Sequence, residues 1–387
     1  MIPLKYSVRS IRVRWTSSVM TAMGVALVVM ILFLLLGFVT GLRLTMLRAG
    51  EGANWIALSR GVTSEPGSYV TLEQYEIIRA RPELALSASG EALVSPEMVT
   101  AFNPEADGPL RVSDFTYLRG VRPVAYQVHR GIRVSAGRLP APLQPELIVG
   151  ARLAAKFPGL APGRRIQLGR SQWTIVGVFS DGGSTCESEV WGDLDALQQD
   201  VHFGHGFSAI HLAIKPSSEA SFVAALESDP RLLLDAMPEQ RFYAQQSHVA
   251  DQMRGLGLVL AGILAVGAVF GGMNTMYSAV ARRTREVGVL RALGFSRMSI
   301  LAAVLFESVL LCLLGGLLGE FLGVALAWAT GLSARLMSIE AMIFAFTLTP
   351  AAFAGGLGAA CLIGALGGLL PAWRASRIPI VDSLRAL

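Results

Sequence analysis

The chain has 387 residues, of which 52% are hydrophobic and only 16% charged, with a mean hydropathy of +0.51 and a net charge of +5. Soluble globular chains carry roughly 25% charged residues, and here the shortfall is concentrated in a few long apolar stretches. That excludes a soluble enzyme, a disordered chain and a disulfide-stapled secreted domain.

In chain order, residues 1–15 place Leu4, Val8, Ile11 and Trp15 at helical spacing beside a stripe of Lys5, Arg9 and Arg12, the pattern of an amphipathic helix lying in the membrane interface. Residues 15–42 carry no charge, and about 20 apolar residues suffice to span a bilayer, so 16–42 reads as a first transmembrane helix. A cleavable signal peptide has a shorter apolar core and a small-residue cleavage site; neither is present.

Residues 43–250 read as a mixed α/β domain. A strand pair is expected around 164–179, with Ile166 and Leu168 alternating before a polar turn at 169–172 and a β-rich run from Trp173 to Phe179. Surface helices are expected over 71–79 and 219–227, the second with Phe222, Val223 and Leu226 on one face, and the Pro-rich passage 139–145 reads as a break between two subdomains.

Uncharged runs at 255–281 and 341–373, and the stretch 298–334 broken only by Glu307 and Glu320, give three more spans at 255–281, 298–331 and 348–370. A short outer connection, 332–347, and a tail, 371–387, complete the chain. The expected fold is an α-helical membrane protein with four transmembrane helices and a large mixed α/β extracytoplasmic domain inserted between the first and second.

Three short segments, 1–14, 282–297 and 374–387, hold twelve basic residues against two acidic ones, whereas 43–254 holds 20 against 23. Short Lys/Arg-rich loops stay cytoplasmic, so both termini and the 282–297 connection are expected inside and the large domain outside. The basic excess marks orientation and gives no sign of nucleic-acid binding. Cys312 and Cys361 fall in spans, which leaves Cys186 without a disulfide partner outside.

Small residues recur every four positions: Gly267, Gly271, Thr275 and Ala279; Gly315, Gly319, Gly323, Ala327 and Gly331; Gly356, Ala360, Gly364 and Gly368. Such rows let helix backbones approach closely in lipid, either within one bundle or at a dimer seam. Glu307 lies ten residues beyond Arg297, about 15 Å along a helix, and an ionisable group at that depth is a functional candidate, either protonated or paired with Thr275 or Ser278. Glu320 falls at the outer boundary.

The large domain shows little chemistry. His202, His205 and His211 cluster in sequence, but their spacing matches no common zinc pattern, so they read as loop histidines and no metal site is expected. There is no Gly-x-Ser-x-Gly elbow and no phosphate loop, the three lysines Lys5, Lys156 and Lys215 lying outside any Gly-rich context. No catalytic residue and no cofactor is expected in this chain.

The connection reads ARRTREVGVLRALGFSRMSI over 281–300. Its pattern, Arg-x-Glu-hydrophobic-Gly-hydrophobic-hydrophobic-Arg-x-hydrophobic-Gly before a long span bearing a glutamate, resembles the FtsX-like permease superfamily, which includes MacB-type exporters and lipoprotein-releasing permeases. The tail PAWRASRIPIVDSLRAL, 371–387, is similar to the family ending, and GRLP, LIVGARLA and WTIVGVF within 138–179 resemble the MacB-type periplasmic core.

The resemblance implies the transmembrane subunit of an ABC complex in the bacterial inner membrane. The family's cytoplasmic connection is a coupling helix docked on an ATPase, a role carried here to Arg282, Arg283, Arg285, Glu286, Gly288, Leu290, Arg291 and Gly294. The residues agree by themselves: Val287, Leu290 and Leu293, spaced by three, define an apolar face, arginines flank it, and Gly294 can stop the helix. The chain begins at the interface helix with no fused ATPase, so two copies of a partner ATPase are expected to bring ATP and Mg. A second permease, most simply another copy of this chain, and a periplasmic adaptor with an outer-membrane channel are the further partners implied. Two activities fit: mechanotransmission that exports or releases amphipathic substrates, or activation of a cell-wall hydrolase.

Overall fold

The computed structural model describes residues 15–49, 54–103, 115–201, 203–246, 248–330, 336–339 and 342–379. The interfacial helix expected over 1–15 lies outside the described residues but for position 15, as do Gly331 and the tail from 380 onward. The chain divides into two units, one of 1–40, 251–334 and 346–387 and the other of 41–250 and 335–345.

Helix α1 (Trp15–Ala49) leads into the α/β unit, whose strands and helices follow as β1 (Asn54–Ser59), α2 (Leu72–Arg79), β2 (Val94–Phe102), β3 (Thr116–Val121), α3 (Ala125–Val128), β4 (Arg133–Gly137), β5 (Glu146–Gly150), α4 (Ala151–Lys156), β6 (Arg165–Leu168), β7 (Ser171–Ser180), β8 (Glu189–Asp193), α5 (Leu194–Val201), β9 (Ala209–Ala213), α6 (Glu219–Ser228), β10 (Leu234–Pro238) and α7 (Glu239–Gln246). The strands form one sheet in the order β10-β1-β9-β2-β3-β8-β5-β7-β4, with β6 also on β7. Its core includes Trp173, Phe207 and Phe222, all nearly inaccessible.

Local sequence explains several elements. Thr71 caps α2: its hydroxyl accepts from the Gln74 backbone N–H while the Gln74 side chain accepts from the Thr71 N–H, so two otherwise orphaned donors are satisfied. In β7 the residues alternate between buried and partly buried, with Trp173, Ile175, Gly177 and Phe179 inward, the period of a strand. Gly169 turns β6 into β7 at φ +52, where an added Cβ would lie 2.4 Å from the Asp200 carbonyl oxygen, so both conformation and space require glycine.

The passage 139–145 is no subdomain boundary. β4 and β5, on either side of it, both pair with β7, so it closes a loop within one sheet. Glu146 fastens it, accepting two bonds from the Arg138 guanidinium and one from the Ala141 N–H.

The helical unit contains most of α1 and continues with α8 (His248–Arg282), α9 (Thr284–Ala292), α10 (Arg297–Ala329) and, after the hairpin β11 (Leu336–Ile339) and β12 (Met342–Ala345), α11 (Pro350–Ser376). Among the described residues four helical stretches are long and apolar enough to cross a membrane, within α1 (Ser18–Arg48), α8, α10 (Arg297–Ala329) and α11 (Pro350–Ser376). α8 starts seven residues before the expected 255, because helix formation does not require the apolar composition that marked the span. α11 runs through the expected tail start at Pro371.

The outer connection expected over 332–347 also differs. It contains a hairpin whose Ile343 enters the core of the α/β unit. The Ile343 N–H donates to the Ser188 hydroxyl at 2.9 Å and its carbonyl accepts from Arg152 at 3.0 Å, long-range bonds that no local pattern encodes.

Candidate functional site

The connection between α8 and α10 is built by breaking one helix and starting two. Arg283, at φ −114 and ψ 17, leaves helical geometry and opens α9. At the far end Gly294 adopts φ +93, with its N–H bonded to the Arg291 carbonyl and that of Phe295 to the Leu290 carbonyl, a left-handed stop natural to glycine. Ser296 then caps α10 by accepting from the Ser299 N–H at 3.2 Å.

α9 has an inner and an outer face. Val287 and Gly288 are buried, and Val287 packs with Val280, Ile300 and Ala375. Leu290 and Arg291 are half-buried, and Arg291 donates to the Phe295 carbonyl at 3.4 Å. Arg282, Arg285, Glu286, Val289, Leu293 and Gly294 face outward, Leu293 being 72% exposed. A shallow groove on this side is lined by Arg285, Glu286, Val289 and Leu290.

The expected apolar face of Val287, Leu290 and Leu293 is therefore corrected. Each residue advances about 100° around a helix, so steps of three drift, and six residues carry Leu293 about 120° away from Val287. Val289, absent from that set, joins Leu293 on the outward apolar surface.

Glu307, expected to be protonated or paired with Thr275 or Ser278, finds an ion pair on the connection itself. Its Oε2 lies 3.4 Å from a guanidinium nitrogen of Arg283, while the Thr275 hydroxyl accepts from Thr21 at 2.7 Å. Arg283 also lies 3.8 Å from Glu286. A cavity of about 40 Å³ beside the pair is lined by apolar side chains including Met276, Val287 and Ile300.

Two of the three glycine rows face another helix. A Cβ at Gly315 or Gly319 would fall 2.7 or 2.4 Å from the carbonyl oxygens of Ala22 or Ala26, and one at Gly323 would fall 2.8 Å from Phe33, so this row of α10 lies on α1. Gly364 and Gly368 of α11 meet Val309 and Ser308 of α10, and Ser308 donates to the Gly364 carbonyl at 2.8 Å. Gly356 faces Glu320, which is buried rather than at an open boundary and whose Oε1 has no hydrogen-bond partner among the described residues.

The first row is divided: Thr275 meets Thr21 and Ala279 is buried, whereas its two glycines are open in the single chain, which keeps the dimer seam as the expectation there. Nothing among the described residues lies within 4 Å of a Cβ at Gly267 or Gly271; α8 is approached closely instead at Gly257, by Leu35, and at Val269, whose carbonyl oxygen would lie 3.1 Å from a Cβ at Gly367 of α11. Spacing fixes which residues share a face, and only packing decides which face is covered.

A second constellation was not anticipated. In the α/β unit Arg119 (β3) is 2% exposed and donates to Glu65 at 2.6 Å, Glu97 at 2.8 Å and Glu189 at 2.7 Å. His211 (β9), a loop histidine by expectation, is fully buried with Nδ1 2.6 Å from Glu239 and Nε2 3.5 Å from Glu65. His129 lies 2.8 Å from Glu97. Burial disfavours the charged imidazole, but Glu97, Glu239 and Glu65 outweigh it and hold His211 protonated well above the usual histidine range. Burial likewise opposes ionisation of Glu65, yet Arg119 and His211 pull its carboxyl down to about 2.

Glu97, His129 and His211 bring three potential metal-ligand atoms within 4.8 Å of one another. Arg119 already occupies this neighbourhood, 3.5 Å from His211 Nε2, and supplies the positive charge that a cation would bring. His205 is exposed and His202 lies outside the described residues. One signal for the cluster was legible: Glu97, Arg119 and His211 each stand in a strand that is otherwise uncharged, and buried charges require partners.

Residues 18–228 match the MacB-like periplasmic core domain and residues 258–380 match the FtsX-like permease C-terminal family. The macrolide export ATP-binding/permease protein MacB of Nitrobacter winogradskyi is 30% identical over 62% of this chain and 38% of its own length. The pyoverdine export ATP-binding/permease protein PvdT of Pseudomonas syringae pv. syringae is 28% identical over 57% of this chain and 34% of its own. The chain thus spans a little over a third of the length of the curated relatives it matches. The crystal structure of the periplasmic region of MacB from Actinobacillus actinomycetemcomitans aligns with 51% of this chain and 94% of that one, at 13% identity and a TM-score of 0.37.

Proposed function

The chain belongs to the FtsX/MacB-type permeases, with an FtsX-like C-terminal region and a MacB-like periplasmic core domain, and from this we propose that it is the non-catalytic membrane subunit of an ABC transporter driven by a partner ATPase. The observation that carries the reading is α9, a short helix between two helices of membrane length, which buries Val287 and turns Arg285, Glu286 and Val289 outward, with Arg282 and Leu293 exposed at its two ends. That mixed charged and apolar surface suits a protein groove better than lipid or bulk water.

In this reading both termini and α9 face the cytoplasm and the α/β unit faces the periplasm. Two permeases, most simply two copies of this chain, meet two ATPases, and closure of the ATPases on ATP moves α9. The movement passes into α8 and α10 and reshapes the periplasmic domains, which export or release amphipathic molecules without an aqueous path through the bilayer. The macrolide and pyoverdine exporters among its relatives support that substrate class.

The test is co-purification with a co-expressed ABC ATPase. Glu286→Arg and Val289→Asp change only exposed positions and are expected to weaken the complex at least tenfold, the scale of disrupting a residue that matters at an interface. An undiminished complex in both variants would remove α9 from the interface.

A further inference from the structure

Along α11 one exposed face changes character toward its C-terminal end. Leu362, Leu366, Leu369 and Trp373 recur at intervals of four, three and four, each about half or more exposed, and Arg377 continues the row after another four. Such intervals keep residues on one side of a helix. From Leu362 to Trp373 the row rises about 16 Å, the depth of one leaflet of a hydrocarbon core about 30 Å thick.

At the end of the row stand two guanidinium groups. Arg374 lies 5.8 Å from the ring of Tyr277 on α8, and Arg377 lies 4.2 Å from the ring of Trp373. Both are exposed, and among the described residues neither is paired with a carboxylate. Two adjoining grooves, of about 490 and 350 Å³, share Tyr277, Arg374 and Ile378, and among the described residues no acidic side chain lines them.

We infer that this corner binds one anionic phospholipid, its phosphate between Arg374 and Arg377 and an acyl chain along the leucine row. The inference rests on the membrane orientation proposed above, which sets the arginines at the cytoplasmic headgroup level where anionic lipids attract basic side chains. Trp373 sits where an amphipathic ring belongs, between the apolar row and the charged end. The choice of headgroup follows from charge: among the described residues no carboxylate lines the grooves, and the rings of Tyr277 and Trp373 are already faced by Arg374 and Arg377, so the ammonium of a zwitterionic lipid would meet like charge, whereas the guanidinium groups can fork onto a phosphate. The length of the apolar row separates a lipid from a soluble phosphate, which would use only the basic end.

The experiment places the purified full chain in nanodiscs and follows quenching of tryptophan fluorescence by acyl-brominated phosphatidylglycerol or phosphatidylcholine, with Trp373→Phe identifying that residue's share of the signal. Phosphatidylglycerol is expected to occupy the site on the order of 10-fold more strongly than phosphatidylcholine. Arg374→Gln with Arg377→Gln should abolish the preference, Arg374→Lys with Arg377→Lys should keep most of it, and inorganic phosphate should leave it unchanged. Equal quenching by the two lipids, or a preference that survives the glutamine pair, overturns the proposal; relief by inorganic phosphate overturns it in favour of a soluble anion. The readout requires no ATPase, so failure of the coupling complex and failure of this site are seen separately.

Discussion

Arg283 and Glu307 meet at 3.4 Å, joining the residue that opens α9 to a carboxylate ten positions along α10. Arg283 is mostly buried and Glu307 almost wholly so, in apolar surroundings where a charged group left without its partner is costly. The pair joins the base of the proposed coupling helix to the next long helix, and in the proposed mechanism it would carry a displacement of α9 into α10.

Removing either end should therefore loosen that junction. Arg283→Ala or Glu307→Ala is expected to cost about 2 kcal/mol, the scale of a hydrogen bond to a charged group, read as a lower thermal midpoint in detergent. Restoration by the exchange Arg283→Glu with Glu307→Arg, beyond either single reversal, would establish the pairing; three equally unstable proteins would refute it.

The glycines of α10 and α8 predict opposite outcomes. Gly319→Ala puts a Cβ against the Ala26 backbone and is expected to cost about 1–3 kcal/mol, whereas Gly267→Ala meets nothing among the described residues and should be neutral in the monomer. Thermal midpoints of both variants, compared at matched oligomeric state, decide the point.

Arg119 carries the charge balance of the α/β core. Arg119→Met leaves Glu65, Glu97 and Glu189 without their shared donor and should destabilise the protein by about 3–5 kcal/mol. Loss of protease resistance in the α/β unit, with the long helices still protected in detergent, is the expected readout.

The same cluster sets a pH dependence. His211 has a raised pKa in the fold, so its contribution is complete below the unfolded value of about 6.5 and declines as pH rises toward the folded value. Glu65, lowered from 4.5 to about 2, contributes fully above 4.5 and loses that contribution as pH falls through that interval. Stability from this cluster should peak between about 4.5 and 6.5. Unfolding midpoints measured across pH test it: His211→Gln should remove the alkaline decline and keep the acidic one.

Much of the organisation is written locally. A charge in hydrocarbon is expensive, so long uncharged runs mark the membrane-length helices, and the clustering of Arg282, Arg283, Arg285 and Arg291 around a Glu-Val-Gly core marks the connection before any fold is known. Thr71 with Gln74, the alternation through Trp173 and Phe179, and Gly294 as a helix stop are equally local, because caps, pleats and left-handed turns depend on neighbours within a few residues.

Tertiary structure alone decided the partners. Glu307 is met by Arg283, Gly319 is buried against α1 while Gly267 is left open, Ile343 crosses into the α/β core, and Arg119 gathers carboxylates from positions 65, 97 and 189. Helical and strand periodicity place residues on a face; which face is covered, and by what, depends on packing between segments distant in sequence.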